Sequence, residues 1–173
     1  LFYMNAARNL FDHGHYINGF GQIEPHWPIF YSLQLVPSFF VNVPVQFWAR
    51  GLNLFYFFGG VYFFFLYMRD NDESEQVISY VTMFSLLNYY IWRSVFLEMP
   101  DIALFFFFYC FLYISSNTKM NFSVKATLLG LIALFSIITK PTGLLFILTA
   151  FFGVFINVVF YRKDLVRSFA FFG

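Results

Sequence analysis

QFWARGLNLFYFFGGVYFFFLYM, running from Gln46 to Met68, carries a single charge, Arg50, near its start. A helix needs about 20 predominantly apolar residues to cross the hydrocarbon core of a bilayer. This stretch therefore reads as a transmembrane helix, and the fold as all-α. Arg69 to Gln76 follows as a charged, solvated loop, and Val77 to Trp92 reads as the next crossing. Arg93 to Asp101 forms a polar turn, Ile102 to Ser115 crosses back, and Ser116 to Lys125 is a second polar loop. Ala126 to Thr139 and Leu144 to Phe160 are two further crossings around a break at Lys140 and Pro141. Segments shorter than about 17 residues need help from flanking residues or tilt to span. The expected architecture is a polytopic module of about five crossings over 46–160. An extracytoplasmic loop with interfacial helices precedes it over 1–45, and a cytoplasmic segment begins at 161–173. Without an initiating Met or a basic n-region, the chain is expected to be a fragment truncated at both ends.

Composition supports the class. Hydrophobic residues make up 60% of the chain and aromatics 26%, which leaves too little polar surface to cover a water-soluble globule. The net charge of +1 provides no basic face for nucleic acid. The single cysteine, Cys110, lies inside a Phe/Leu run, where it serves as a small hydrophobe and no disulfide can form within the chain. When the crossings alternate, Arg69, Lys119, Lys125, Arg162, Lys163 and Arg167 fall on one side, which the positive-inside rule makes cytoplasmic. The 1–45 segment, Arg50, the 93–101 turn and Lys140 then face the extracytoplasmic side.

The 1–45 segment is too polar to cross a bilayer but rich in apolar anchors. Tyr3, Ala6, Ala7, Leu10 and Phe11 recur near a helical period, with Asn5, Arg8, Asn9 and Asp12 between them, as in an interfacial helix. Gly14, Gly19 and Gly21 loosen the chain into a loop, and Pro28 suits the first turn of a second short helix through Tyr31 and Leu35. A loop between two membrane-lying helices is a reasonable substrate site. An ionisable residue at the membrane boundary is a functional candidate because holding it there is costly. Glu98, Asp101, Arg50, Arg93 and Lys140 meet that description. Each also has a structural reading: acidic residues stabilise a helix N-terminus, and basic ones snorkel or anchor at the interface. His13, His15, Glu24 and His26 have the residue types of a metal site, but their spacing defines no ligand set, so no metal ligands are assigned.

Several of these positions carry a resemblance. Tyr-x-x-x-Ala-Arg-Asn-Leu at Tyr3 to Leu10, the Gly-containing loop, Pro28-Ile-Phe-Tyr31 and Ala49-Arg50 opening a transmembrane helix occur in that order. Leu97-Glu-Met-Pro100 and Thr139-Lys-Pro141 follow. Together they resemble the GT-C superfamily of membrane glycosyltransferases, of the protein O-mannosyltransferase and aminoarabinose transferase type, from the first residue to about Gly143. That family carries an acidic pair, Asp-Glu or Asp-Asp, a few residues before the Tyr matched by Tyr3. The chain begins at Leu1 without it, and neither Asp12 nor Glu24 is put in its place. The resemblance implies transfer of a sugar from a polyprenyl-phosphate-linked donor lipid to a hydroxyl-bearing acceptor, at the extracytoplasmic face of a bacterial or archaeal plasma membrane or of the endoplasmic reticulum. It matches Glu98 to an acidic residue at the next lumenal turn, here expected to be catalytic, and Lys140 to a lysine at the later break.

The chemistry asks for those residue types. A lipid phosphate brings an anion to the membrane surface, where Lys140, Arg50 and Arg93 are the cations available to bind it through charge-assisted hydrogen bonds. Negative charge grows on the leaving phosphate, so a fixed cation or a divalent metal ion there favours the transition state over the ground state. A carboxylate takes the acceptor's proton. Tyr3, His26, Trp27 and Tyr31 are the candidates for contacting acceptor or sugar. The competing classes are a transporter subunit and a catalytically inactive scaffold. A transporter places its charges near the bilayer midplane, whereas here they sit at crossing ends. The topology predicts that the sequon Asn121-Phe-Ser123 faces the cytoplasm and stays unmodified in a glycosylation-competent membrane. A glycan on Asn121, read as a mass shift removed by endoglycosidase, reverses the topology.

Overall fold

The structure, a computed structural model, describes residues 2–17, 29–71, 73–97, 99–117, 119–145 and 148–149. Every regular element among them is helical: α1 (Phe2–His13), α2 (Ile29–Leu35), α3 (Pro37–Phe40), α4 (Val45–Asp70), α5 (Glu75–Leu87), α6 (Tyr89–Phe96), α7 (Asp101–Ser116) and α8 (Phe122–Thr139). A 3₁₀ turn, Pro141–Gly143, follows α8. The helix starts follow from local chemistry. The carbonyl of Pro44 accepts from the backbone of Phe47 and Trp48 to open α4. The Ser74 hydroxyl accepts from the Val77 amide at the head of α5, and Asn121 Oδ1 accepts from the Ser123 amide at the head of α8.

Among the described residues α4 is the one unbroken helix long and apolar enough by itself to cross a bilayer. Its 26 residues extend about 39 Å at 1.5 Å per residue. The apolar stretches Ile29–Phe40 and Ser123–Thr139 are shorter, and α7 has 16 residues. The crossing expected over Val77 to Trp92 is broken at Asn88. That residue has extended backbone angles, ends α5, and starts α6 by accepting from the amides of Tyr90 and Ile91 at 2.9 and 3.3 Å. The indole of Trp92 donates to the carbonyl of Leu86, exposed by the break, at 2.5 Å. An asparagine whose side chain bonds its own downstream backbone competes with helix continuation. The expected crossing over Leu144 to Phe160 lies mostly outside the described residues.

Helices α4 and α7 pack side by side and parallel, as their ring contacts advance together: Tyr56 meets Phe106 and Phe107, Phe64 meets Tyr109, and Phe63 meets Tyr113. Helix α8 returns antiparallel to α7, with Asp101 beside Lys140, Phe107 beside Phe135, and Asn117 beside Lys125. Helices α1 and α2 close one end of this bundle. Tyr3 meets Tyr31 edge to face, Phe11 stacks on Phe39, and Phe30 stacks on Phe135 of α8. A helix is present where one was expected near the N-terminus, as α1. Its Tyr3, Met4, Ala6 and Ala7 are buried.

The α4 to α7 seam depends on Gly59 and Gly60. A Cβ on Gly60 would stand 2.6 Å from two ring atoms of Phe105 and 3.3 Å from the backbone of Phe106, and one on Gly59 would stand 2.7 Å from the Phe106 ring. Small residues let two apolar helices approach closely, which is a main source of cohesion where no water is displaced. Gly130 of α8 meets nothing within 4 Å. Gly60→Ala is therefore expected to cost about 1–3 kcal/mol by overpacking, while Gly130→Ala gains about 0.5–1 kcal/mol from helix propensity. Unfolding midpoints in detergent check this, and equal shifts in the two variants would refute the seam.

Candidate functional site

The end of the bundle closed by α1 and α2 is organised by one side chain of α4. Asn53 is fully buried. Its Oδ1 accepts from the hydroxyl of Tyr31 at 2.9 Å, and its Nδ2 donates to the carbonyls of Val95 and Met99, both at 3.3 Å. The amide orientation follows from chemistry, because two carbonyls can only accept and must face the NH₂. Three elements thus meet at one amide: α2 through Tyr31, the end of α6 through Val95, and the approach to α7 through Met99. Trp48, one turn earlier in α4, reinforces the α2 contact by donating its indole N–H to the carbonyl of Gln34 at 2.9 Å.

Two residues beyond Met99, Asp101 occupies the first turn of α7. The helix N-cap is Pro100, and no side chain caps it. The Asp101 carboxylate instead accepts from the ammonium of Lys140, which links α7 to the end of α8. This carboxylate does not cap the helix, although a carboxylate in the first turn suits the helix dipole. Lys140 sits between the last residue of α8 and the 3₁₀ turn, with extended backbone angles. That turn is folded tightly against α8: a Cβ on Gly143 would lie 2.3 Å from the carbonyl carbon and oxygen of Ser136. Backbone cannot yield as a side-chain tip can, so position 143 needs glycine for the turn after Lys140 to fold against α8. Its side chain is 29% exposed and that of Asp101 is 46% exposed, so the pair opens to the surface. A lysine ammonium has three donors. One faces Asp101, and the partial exposure leaves room for an anion at another.

Tyr3 is buried against Tyr31, with ring centroids 5.3 Å apart. Burial pushes its hydroxyl from 10.0 up to about 12, with charge on Tyr16 and on Asp101 adding to the rise. The influence of Asp101 brings Tyr3 into electrostatic reach of the pair. Tyr31 is fully buried with its hydroxyl on Asn53. Its expected place as a sugar-contacting surface is corrected: in this structure it is an internal strut. Arg50 is half-buried near the start of α4 with its guanidinium 6.0 Å from the Phe47 ring centroid, and it lies one turn before Asn53. Arg93 is exposed in the last turn of α6 and makes no ion pair among the described residues. Of the three expected phosphate-binding cations, Lys140 is joined to the carboxylate of Asp101. Glu98, His26 and Trp27 lie outside the described residues. No three His, Cys, Asp or Glu side chains gather as a metal site among the described residues.

Asn53 was not among the residues expected to matter. The signal was present, since it is an uncharged amide within an apolar run, and such a group is tolerated in a transmembrane helix only where partners satisfy it. Comparison of the chain with protein-family models, with curated proteins and with solved structures finds no match.

The raised Tyr3 pKa has a definite sign. The folded state holds the proton more tightly than the unfolded chain, so this contribution to stability is complete below pH 10 and is lost as pH rises from 10 towards 12. Stability measured across that window is expected to fall more steeply for the native chain than for Tyr3→Phe, whose ring has no hydroxyl to ionise. Superimposable alkaline curves would mean that the Tyr3 hydroxyl is solvated.

Proposed function

We propose that the chain belongs to a multi-pass membrane glycosyltransferase of the GT-C type, which moves a sugar from a polyprenyl-phosphate-linked donor to a hydroxyl-bearing acceptor at the extracytoplasmic face. The observation that carries this reading is the Asp101–Lys140 pair. A cation and a carboxylate are held together, part-exposed, at the bundle end that the positive-inside rule assigns to that face. The parallel packing of α4 and α7 supports the multi-pass arrangement, because parallel neighbours require a return pass between them, which α5 and α6 supply. The antiparallel α8 continues the alternation. At about 24 Å, α7 is shorter than the hydrocarbon core, which is about 30 Å thick, so it relies on flanking residues and local thinning of the bilayer.

On this reading the donor phosphate takes the solvent-facing donors of the Lys140 ammonium while Asp101 keeps it oriented. The bond from the sugar's anomeric carbon to the phosphate oxygen breaks, and the electron pair leaves with the polyprenyl phosphate. The acceptor oxygen bonds to the anomeric carbon and gives its proton to a carboxylate. Charge on the departing phosphate is then met by a cation already in place, which lowers the barrier with little reorganisation. Glu98, the acidic residue of the matched Leu97-Glu-Met-Pro100 turn, is assigned to that proton, and Arg50 and Arg93 to the rim that gathers anionic lipid. A fixed cation of this kind is worth about 10²- to 10³-fold in rate. Lys140→Ala and Glu98→Gln are expected to reduce sugar transfer from a polyprenyl-phosphate hexose in isolated membranes by about that factor, with the protein still membrane-bound. Undiminished transfer in both variants would remove these residues from the site.

A further inference from the structure

We propose that Asn53 is a positioning residue for the Asp101–Lys140 pair, acting through the chain between α6 and α7; this rests on the reading of that pair as the phosphate-binding site. Its amide donates to Val95 and Met99 and so holds the backbone on both sides of the turn that leads into Asp101. The carbonyl of Pro100 then accepts from the amide of Ala103, which starts α7 immediately after the clamped residue. The direction in which the Asp101 carboxylate leaves the helix is set by that start, and Lys140 follows Asp101.

Tyr31 completes the device. Its hydroxyl occupies the Asn53 Oδ1, so the amide cannot rotate to offer oxygen to the two carbonyls without losing that bond and facing like against like. Tyr31 is in turn packed edge to face on Tyr3 of α1. A continuous set of contacts therefore runs from the N-terminal helix, through a buried hydroxyl and a buried amide, to the residue that holds the lysine. Every member lies at one end of the bundle. Lys125, at the opposite end of the α7–α8 hairpin, is outside this set, since its ammonium donates to the carbonyl of Asn117 at 2.6 Å and it is 3% exposed.

The test uses acylation of lysines in the detergent-solubilised full-length protein by a sulfo-N-hydroxysuccinimide ester, read residue by residue by mass spectrometry. Asn53→Asp keeps the size of the side chain and the acceptor for Tyr31 but replaces the donor with an oxygen. It is expected to speed acylation of Lys140 by about 5- to 25-fold, the effect of losing one or both of the hydrogen bonds to Val95 and Met99, and to leave Lys125 unchanged. Tyr31→Phe moves Lys140 in the same direction by less, and it decides the matter if Asn53→Asp fails to fold. In a transfer assay Asn53→Asp lowers kcat with little change in KM for the acceptor. Unchanged acylation of Lys140, or an equal rise at Lys125 that marks general loosening, overturns the proposal. Faster acylation of Lys140 in a protein whose native form transfers no sugar upholds the positioning role and rejects glycosyl transfer.

Discussion

A carboxamide buried inside an apolar helix must have its donors and acceptor met by fixed neighbours, because neither lipid nor packed side chains will solvate it. Asn53 imposes that requirement on three separate parts of the chain at once. Tyr31 must be near enough to donate, and the carbonyls of Val95 and Met99 must be near enough to accept. The placement of α2, the end of α6 and the start of α7 around α4 are therefore not independent. Apolar packing alone would leave them freer, since Phe and Leu contacts tolerate sliding in a way that hydrogen-bond geometry does not.

The rest of the cohesion is aromatic and steric. Phenylalanine dominates the faces of α4 and α7, and their rings meet in tilted and edge-on pairs at centroid separations between 4.8 and 6.2 Å. Such pairs exploit the ring quadrupole, but large rings also keep helix axes apart. Gly59 and Gly60 reconcile the two demands by letting Phe105 and Phe106 lie directly against the α4 backbone. The alternation of bulk and absence, rather than hydrophobicity itself, makes this seam specific.

Much of this was legible in the chain. The long apolar run from Gln46 to Met68 is the core of α4, and the spacing of Tyr3, Ala6 and Ala7 marks the buried face of α1. What escaped was local competition. Asn88 stands in an otherwise continuous run and reads as one tolerated polar residue, yet its side chain bonds its own backbone and divides the helix. The partnership of Asp101 and Lys140 also escaped, because 39 positions separate them and only the return of α8 along α7 brings them together. Asn53 was passed over for a related reason: the value of a lone amide depends on partners 22, 42 and 46 residues away.

The α7–α8 hairpin is tied at both ends by lysines, Lys125 of α8 to the end of α7 and Lys140, just past α8, to its beginning. The fifteen helical steps between them make a ruler about 22 Å long. On the proposed membrane reading, the polar ends marked by these two lysines lie near the two headgroup levels, so the ruler sets the spacing of the headgroup planes beside it. That spacing is several ångströms less than an undisturbed hydrocarbon core of about 30 Å. On that reading the bilayer would dimple inward next to this hairpin, and a lipid phosphate drifting past would descend towards Lys140 without leaving its own leaflet.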